Sequence, residues 1–333
     1  MYKFAQMTNE DKNFVFNKTA IEKGLRKEIV EKDFWVCLML DYLFTKSKYK
    51  NDLTFKGGTS LSKGFNIINR FSEDIDLILN WTVLGAGLIE PLEERNNTKQ
   101  DQYNKSLNTK AEDFIKNKLL TDIKFNLSKL LNTEIDITID EKDPQVINFY
   151  YPKVYSTNDD YIKQYVRLEI GPLAAWSPSV SVNITPYVCE SVPSAFELKS
   201  TKVLTVAPER TFWEKATILH REANRPAEKS IPPRYARHYY DLYKFSKTKY
   251  FMTAIKDRDL LKKVVEFKTK FYRDNWAKYD ECLNGNLKLV PPQYRIKEIE
   301  KDYNQMTDMF YGEIPSFSKI LEQLKIIQDL INS

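Results

Sequence analysis

Two aspartates interrupt an otherwise apolar run in the stretch SEDIDLIL. In an extended strand alternate side chains share a face, so Asp74 and Asp76 point to one side while Ile75 and Leu77 point to the other. Two carboxylates this close repel each other unless a proton or a cation lies between them. A hard divalent cation such as Mg²⁺ takes oxygen ligands and bridges carboxylates to phosphate oxygens. The pattern therefore predicts a metal–phosphate site, and the competing interpretation is the solvated face of an edge strand.

A turn of small residues precedes these aspartates, between a short predicted strand and a predicted helix at about 60–69. Its residues are Gly57, Gly58, Thr59 and Ser60. Glycine lets the backbone approach a phosphate, and a helix start directs N–H groups and the positive end of its dipole at an anion. The spacing of a Walker A loop is absent, so the glycines alone could form a simple turn. The combination with the following D-x-D strand favours phosphate binding.

A third carboxylate is expected, because two-metal phosphoryl transfer usually uses one to hold the metal that activates the attacking hydroxyl. The strand-like run YVRLEIG offers Glu169, with Arg167 on the same face. An ordinary Arg–Glu surface pair is the alternative for these two residues. Asp136 and Asp140 in EIDITID compete for the same role, and the residues alone leave the choice open.

Two helical segments further along the chain carry a second set of charged residues. Lys215 lies beside an apolar stripe in PERTFWEKATILHREANR, and Asp241 lies in RYARHYYDLYKF. A lysine at the edge of such a stripe often only extends along apolar surface with its amine in water. Both histidines of the chain, His220 and His238, fall in these segments, and His220 is expected to be a satisfied core histidine.

The elements that must position these residues alternate between strand-like and helical patterns up to about residue 205. The strand-like runs lie at 53–55, 74–79, 134–140, 145–151, 165–171 and 179–188. Helices are predicted at 19–44 and 111–131, and the polar stretch 91–110 is predicted to be a surface loop. Helical signals dominate after Pro208. The pattern indicates an α+β class with a mixed-sheet part followed by a helical part.

Composition and length predict a soluble protein of two domains. The chain has 333 residues, 42% hydrophobic and 29% charged, and its formal net charge of +5 permits a nucleic-acid partner without requiring one. Its three cysteines lie far apart with no CxxC pair, which argues against a disulfide framework or a zinc site. Neither a signal peptide nor a membrane-spanning run is recognised, so a cytoplasmic protein without membrane contact is expected.

The stretch FKGGTSLSKGFNIINRFSEDIDL resembles the first motif of the nucleotidyltransferase superfamily with a polymerase-β-like fold. It is similar in particular to the AbiEii/AbiGii toxin family, whose members often read KGGT[AS]L…RFSEDIDL. IVEKDFWVCLML at the front and the segment 289–321 at the back are also similar to the family. Fifteen residues separate Gly58 from Asp74, slightly more than usual, which leaves open whether Thr59 or Ser60 contacts phosphate.

This resemblance implies a nucleotidyltransferase (polymerase-β-like) mixed-sheet domain at 1–205, with a helical or loop insertion near 91–131. A helical domain at 206–333 would carry Lys215 and Asp241. The similar LEIG context favours Glu169 as the third acid. The implied roles are metal binding by Asp74, Asp76 and Glu169, a triphosphate cradle of Gly57, Gly58 and Ser60, a triphosphate cation in Lys215, and a final catalytic acid in Asp241, which orients Lys215 or the acceptor. The implied cofactor is Mg²⁺, with Mn²⁺ as the alternative, and NTP is the substrate.

The resemblance also implies a toxin of a toxin–antitoxin or phage-defence pair, with an antitoxin protein as a candidate partner. Some relatives transfer a nucleotide to the 3′ end of tRNA, which makes an RNA hydroxyl the expected acceptor. Basic and aromatic residues suit that acceptor, and the candidate contacts are Arg221, Arg234, Arg237 and His238. The alternatives are a solvated helix face for this segment, and a metal-dependent phosphohydrolase or nuclease, or a non-catalytic nucleotide-binding interaction protein, for the whole chain.

Overall fold

The computed structural model describes residues 1–156 and 163–333. The chain forms two compact units: unit 1 comprises Met1–Gly64 and Ser72–Val206, and unit 2 comprises Phe65–Phe71 and Ala207–Ser333. Residues 65–71, which lie between the glycine turn and the aspartates, therefore belong to unit 2. No helix in the described parts of the chain has the length and apolarity needed to cross a membrane.

Unit 1 is built on a mixed sheet of seven strands in the order β3-β4-β5-β2-β1-β7-β6. The strands are β1 (Leu53–Lys56), β2 (Ile75–Leu79), β3 (Asp136–Ile139), β4 (Val146–Tyr150), β5 (Val166–Gly171), β6 (Ser179–Ile184) and β7 (Thr201–Val206). The central strand β2 pairs with β1 in the antiparallel sense and with β5 in the parallel sense. The strand that carries Asp76 therefore has a neighbour on each side.

Helices cover this sheet. They are α1 (Tyr2–Ala5), α2 (Asn9–Lys23), α3 (Lys27–Asp41), α4 (Gly57–Thr59), α5 (Asn97–Phe114), α6 (Leu120–Leu131) and α7 (Tyr187–Ser191), with π-helical turns at Tyr42–Lys46, Ser60–Gly64 and Ile115–Leu119 and 3₁₀ turns at Trp81–Leu84, Glu90–Leu92 and Pro193–Ala195. Helix α3 is buried on all sides, and its Phe34 and Trp35 belong to the same apolar core as Phe149 of β4. This burial explains the nearly continuous apolar run of α3, because no face of it is exposed to water.

Unit 2 is helical. Its helices are α8 (Pro208–Ala223), α9 (Ala236–Phe245), α10 (Tyr250–Lys256), α11 (Arg258–Phe271), α12 (Ile296–Gln305) and α13 (Phe317–Asn332), with 3₁₀ turns at Tyr279–Leu283, Gln293–Arg295 and Thr307–Met309. Pro208 occupies the first turn of α8, where its missing N–H has no cost. Trp213 of α8 is buried and donates from Nε1 to the Ala254 carbonyl oxygen at 3.0 Å.

Several local predictions are wrong. The helix expected at 60–69 ends at Gly64, because residues 65–71 pack within unit 2: the N–H of Phe71 donates to the Met309 carbonyl oxygen at 2.7 Å. The loop expected at 91–110 is helical from Asn97. The strand expected at 179–188 ends at Ile184 and gives way to α7, and β7 was not predicted.

Candidate active site

Asp74 and Asp76 lie at the start of the central strand β2, with Ile75 and Leu77 buried on the opposite face. Asp76 pairs in register with Lys56 of β1 on one side and with Glu169 of β5 on the other. Directly opposed residues of paired strands project from the same face. The sheet therefore brings the three predicted acids together as one acidic cluster, defined as Asp74, Asp76 and Glu169.

The glycine turn is packed against this cluster. Gly57 has a φ of +85°, which favours glycine, and a Cβ added to it would overlap Oδ2 of Asp76. Thr59 is buried, and its Oγ1 donates to the carbonyl oxygen of Asp74 at 2.5 Å. Ser60 is also buried and donates from Oγ to the Gly57 carbonyl oxygen at 2.8 Å. Both hydroxyls thus hold the turn in place, and Thr59 ties it directly to the strand.

Electrostatics at the cluster favour a bound cation. Burial raises the pKa of Asp74 to about 7, and the neighbouring carboxylates of Glu73, Asp76 and Glu169 add to the rise. The Lys32 ammonium opposes this shift without cancelling it. A carboxylate whose pKa is raised by acidic neighbours is stabilised in its ionised form when a divalent cation balances the charge. The donors are all oxygens, which matches the preference of Mg²⁺ and Mn²⁺.

Glu169 neighbours Asp76 through the backbone, but its carboxylate is bonded to Arg167. Arg167 Nε donates to Glu169 Oε1 at 2.9 Å, in a pair whose side chains are 28% and 44% exposed. Over residues 1–156 and 163–333, no three His, Cys, Asp or Glu side chains stand together as a ready metal-binding group. Arg167 thus occupies one carboxylate oxygen of Glu169, so a cation would bind through the other oxygen or displace Arg167.

Of the two rival carboxylates, Asp140 lies on the other side of Arg167, whose Nη1 donates to Asp140 Oδ2 at 3.1 Å, and Asp136 lies elsewhere. Asp140 accepts hydrogen bonds from Asn148 Nδ2 and from the N–H groups of Lys142 and Asp143, which hold its pKa below the usual value. These bonds are typical of a residue that stabilises a turn. Asp136 is exposed on the outermost strand β3, which is separated from β2 by β4 and β5.

In unit 2, Lys215 of α8 and Asp241 of α9 form a buried ion triad with Arg70. Arg70 Nε and Nη2 donate to Oδ1 and Oδ2 of Asp241 at 2.7 and 2.8 Å, and Lys215 Nζ lies 2.8 Å from Oδ2. Burial raises the pKa of Asp241, but Arg70 and Lys215 outweigh it and hold this pKa well below its usual range. Asp241 is therefore a permanent carboxylate that orients Lys215, and the triad carries one positive charge in excess.

The surroundings of the triad change the pKa values of Lys215 and of the nearby His238. Burial lowers the pKa of the Lys215 amine, with Asp241 opposing the shift. Burial, Lys215 and Arg237 lower the pKa of His238 well below its usual value, so this histidine is neutral. Its ring lies edge-on to Tyr235 at 4.9 Å, and its Nδ1 has no hydrogen-bond partner within the described residues. His238 is thus a buried neighbour of Lys215, not an exposed surface residue.

Two other residues predicted to contact RNA have structural partners. Arg221 Nε donates to Asp274 Oδ2 at 2.8 Å, and its guanidinium lies 4.5 Å from the ring of Trp276. Arg234 has a φ of +61°, and its N–H donates to Asp302 Oδ1 at 2.6 Å. Bonds of this kind fix the local fold, so an RNA contact would have to be made in addition to them.

His220 is a satisfied core histidine, as predicted. It is fully buried, its Nδ1 accepts from the Lys288 N–H at 3.0 Å, and its Nε2 lies 2.9 Å from the Lys278 carbonyl oxygen. Since Nδ1 accepts, the ring proton is on Nε2. This arrangement leaves neither nitrogen available for catalysis.

Arg70 is the residue that the sequence interpretation missed. It lies in the quoted motif RFSEDIDL, directly before the acidic strand, but its partner Asp241 is 171 residues further along the chain. The available signal was a single basic residue in a motif whose other charged residues are all acids. Nothing in its local sequence indicates which carboxylate it binds.

The chain is similar to known nucleotidyltransferase toxins. A family model described as nucleotidyl transferase AbiEii toxin, type IV toxin–antitoxin system, matches residues 39–323. Among solved structures, the fold is similar to MenT4, a nucleotidyltransferase toxin of Mycobacterium tuberculosis H37Rv, with a TM-score of 0.47, 15% identity and coverage of 97% of this chain and 99% of that one. It is also similar to JHP933 of Helicobacter pylori, with a TM-score of 0.44, 16% identity and coverage of 92% and 93%. A search of curated sequences finds no match.

Proposed function

The chain belongs to the AbiEii nucleotidyl transferase toxin family, and we propose that its acidic cluster and glycine turn transfer a nucleoside monophosphate from an NTP to an RNA hydroxyl. Membership in a type IV toxin–antitoxin family carries with it a nucleotide substrate and an antitoxin partner. The identity of the metal, the acceptor and the roles of single residues are our proposal.

One observation carries this assignment of the site. Asp76 is held between a cross-strand neighbour in Glu169 and a glycine, Gly57, that has no space for a side chain on the Asp76 side. A turn of small residues directly beside clustered carboxylates supports a site that accepts both a phosphate chain and its cation. A solvated edge strand, the competing interpretation, would need neither the close approach nor a central position in the sheet.

Asp74, Asp76 and Glu169 would hold Mg²⁺, and the bound cation would neutralise phosphate oxygens and lower the pKa of the attacking hydroxyl. Gly57 and Gly58 would direct backbone N–H groups to the triphosphate, with Ser60 beside them. Thr59 would act through the backbone, because its hydroxyl already binds the carbonyl of Asp74. The protein's contribution is therefore to orient the phosphates for in-line displacement and to hold the carboxylates ionised.

Lys215 is proposed to bind the triphosphate and Asp241 to orient Lys215. The excess positive charge of the buried ion triad supports this, since two cations share one carboxylate and a further anion is attracted to them. Arg237, which is partly exposed beside Lys215, is the remaining candidate for contact with the acceptor. A tRNA 3′ end is the proposed acceptor, on the family resemblance of the sequence.

The test is a transfer assay with each of the four α-labelled NTPs, Mg²⁺ and total tRNA. We expect one NTP to label RNA, with Asp74→Asn and Lys215→Ala abolishing the label. RNA shortening without label would support a nuclease instead. If the wild type labels no RNA or protein acceptor and Asp74→Asn remains fully toxic on expression, the chain is a non-catalytic binding protein and the proposal is wrong.

A further inference from the structure

Three consecutive charged residues, Glu31, Lys32 and Asp33, are buried in the middle of α3. Neighbouring residues of a helix point about 100° apart, so the three side chains leave the helix in three directions. A buried charge is costly unless it is paired and hydrogen-bonded. Each residue therefore needs its own partners, and these partners show what the segment does. The segment 31–33 precedes residues 39–323, the range that the family model matches.

Lys32 connects the two strands that carry the acidic cluster. Its Nζ lies 2.5 Å from Oε2 of Glu73 and 2.6 Å from the carbonyl oxygen of Lys163. Glu73 directly precedes Asp74, and Lys163 lies shortly before β5, the strand of Glu169. Since β2 and β5 are parallel, their entrances lie at the same edge of the sheet. One ammonium thus joins both entrances.

The neighbours of Lys32 hold adjacent parts of unit 1. Asp33 lies 2.8 Å from Nζ of Lys63, in the helical turn that follows the glycine turn, and accepts from the N–H of Tyr187 at 2.7 Å. Glu31 accepts from the N–H of Val154 at 2.5 Å. Of the three charged residues, Lys32 is the one whose partners directly adjoin the two strands of the acidic cluster.

We propose that Lys32 is a positioning residue for the acidic cluster: it fixes the entrance of β2 relative to that of β5, and so sets the separation of Asp74 and Asp76 from Glu169. Lys32 itself touches neither substrate nor metal in this assignment. The inference rests on the proposed function, but the geometry it concerns belongs to unit 1 alone. Removing a group behind metal ligands typically lowers metal affinity or activity by roughly 10–100-fold.

The informative variant is a charge-balanced pair of substitutions. Lys32→Met alone removes the cation opposite the buried Glu73 and is expected to destabilise the fold, which says nothing about positioning. Lys32→Met combined with Glu73→Gln removes both charges and should regain most of the lost melting temperature. The matched control is Asp41→Asn, a buried residue of the same helix that accepts from Tyr2 and Thr201, neither of which adjoins the acidic strands.

Two measurements then separate positioning from simple stability. At a temperature where every variant is folded, we expect the double variant to bind Mn²⁺ about 10-fold more weakly than the wild type in the absence of NTP, measured by electron paramagnetic resonance, and to lower kcat by a similar factor. Asp41→Asn should change neither quantity. A double variant that regains both Mn²⁺ affinity and kcat together with its stability would overturn the proposal.

Hydrogen exchange distinguishes this outcome from failure of the proposed function. A wild type that transfers no nucleotide refutes the function but leaves the role of Lys32 testable. In that case, faster exchange of the amides at 74–76 and 166–169 in the double variant, and not in Asp41→Asn, supports the positioning role. Exchange equal to that of the wild type at both strand entrances refutes it.

Discussion

The acidic cluster of unit 1 and the buried ion triad of unit 2 use the same residue types with opposite charge balance. At the cluster, the pKa of Asp74 rises to about 7 through burial and its acidic neighbours. In the triad, two cations share one carboxylate, and they hold the pKa of Asp241 low against the effect of burial. The cluster therefore favours binding of a cation, whereas the triad holds its carboxylate ionised and keeps one positive charge in excess.

This contrast shows how burial has different consequences for charges that are paired and charges that are not. Removing a carboxylate from the triad leaves two buried cations, which is costly for folding. Removing a carboxylate from the cluster relieves repulsion and is costly only for function. Stability and activity should therefore respond in opposite ways to Asp→Asn substitutions at the two places.

The largest expected effect is on stability at the triad. Asp241→Asn should lower the free energy of unfolding by about 3–5 kcal/mol, because Arg70 and Lys215 lose their shared carboxylate in a buried site. Denaturant unfolding measures this loss. Asp329→Asn is the control: it breaks an exposed pair with Lys325, for which about 0.3–0.5 kcal/mol is expected. Similar losses for both variants would mean that the triad is not a buried network.

The next effect is on activity at the cluster. Asp74→Asn should lower kcat/KM by about 10³-fold, or about 4 kcal/mol of barrier, if the carboxylate holds the cation that stabilises the transferring phosphate. Its free energy of unfolding at pH 7.5 should not fall, because one of several repelling carboxylates is neutralised. A stability loss like that of Asp241→Asn would show that Asp74 is held by a cation of the protein itself.

A smaller activity loss should identify the third carboxylate. Glu169→Gln is expected to lower kcat about 10²-fold, because it removes one electrostatic contribution in the site. Asp136→Asn, on the exposed edge strand, should remain close to wild-type activity. Steady-state transfer assays on both variants decide between them. The opposite order would identify Asp136 on β3 as the third carboxylate. It would contradict a site built on the pairing of Asp76 with Glu169.

The glycine turn allows a stability test of close packing beside the cluster. Gly57→Ala should cost about 1–3 kcal/mol more than Gly24→Ala, because the new methyl group overlaps Asp76 as well as meeting a positive φ. Gly24 has a φ of +63° with no atom within 4 Å of an added Cβ, so it measures the backbone penalty alone. Equal losses in thermal or chemical unfolding would show that Asp76 does not pack on the turn.

The smallest expected effect is on the pH dependence of stability. The pKa of Asp74 rises from 3.8 to about 7 on folding, so the folded state binds more protons, and its contribution to stability is lost as pH rises through about 7. The pKa of Asp241 is lowered on folding, so it affects stability in the opposite direction. The stability that Asp241 contributes is lost only in acid. Melting curves at pH 5 and pH 8 should therefore differ less for Asp74→Asn than for the wild type, and Mg²⁺ should restore wild-type stability at pH 8. An unchanged pH difference in Asp74→Asn would contradict the raised pKa.

Local patterns predicted the parts of the fold that local forces decide. The alternation around Asp74 and Asp76 identified the strand and its two faces, because side-chain direction in a strand follows from period alone. The same reasoning failed at β7, where Thr201 and Thr205 share the buried face with Val203 while Leu204 is exposed, so residue polarity does not mark the buried face. It failed again at α5, a mostly polar helix that buries only a few spaced residues, among them Leu107 and Ala111.

The sequence by itself determined the chemistry: two carboxylates on one face of a strand, a turn of small residues before them, and the family to which these motifs belong. Only the tertiary structure decided the partners. Strand order set Glu169 beside Asp76, packing joined Arg70 to Asp241, and α3 brought Lys32 to both strand entrances. The physical reason is that a residue's type and local period fix what it can bind, while pairing across many residues depends on how whole elements bury their apolar faces.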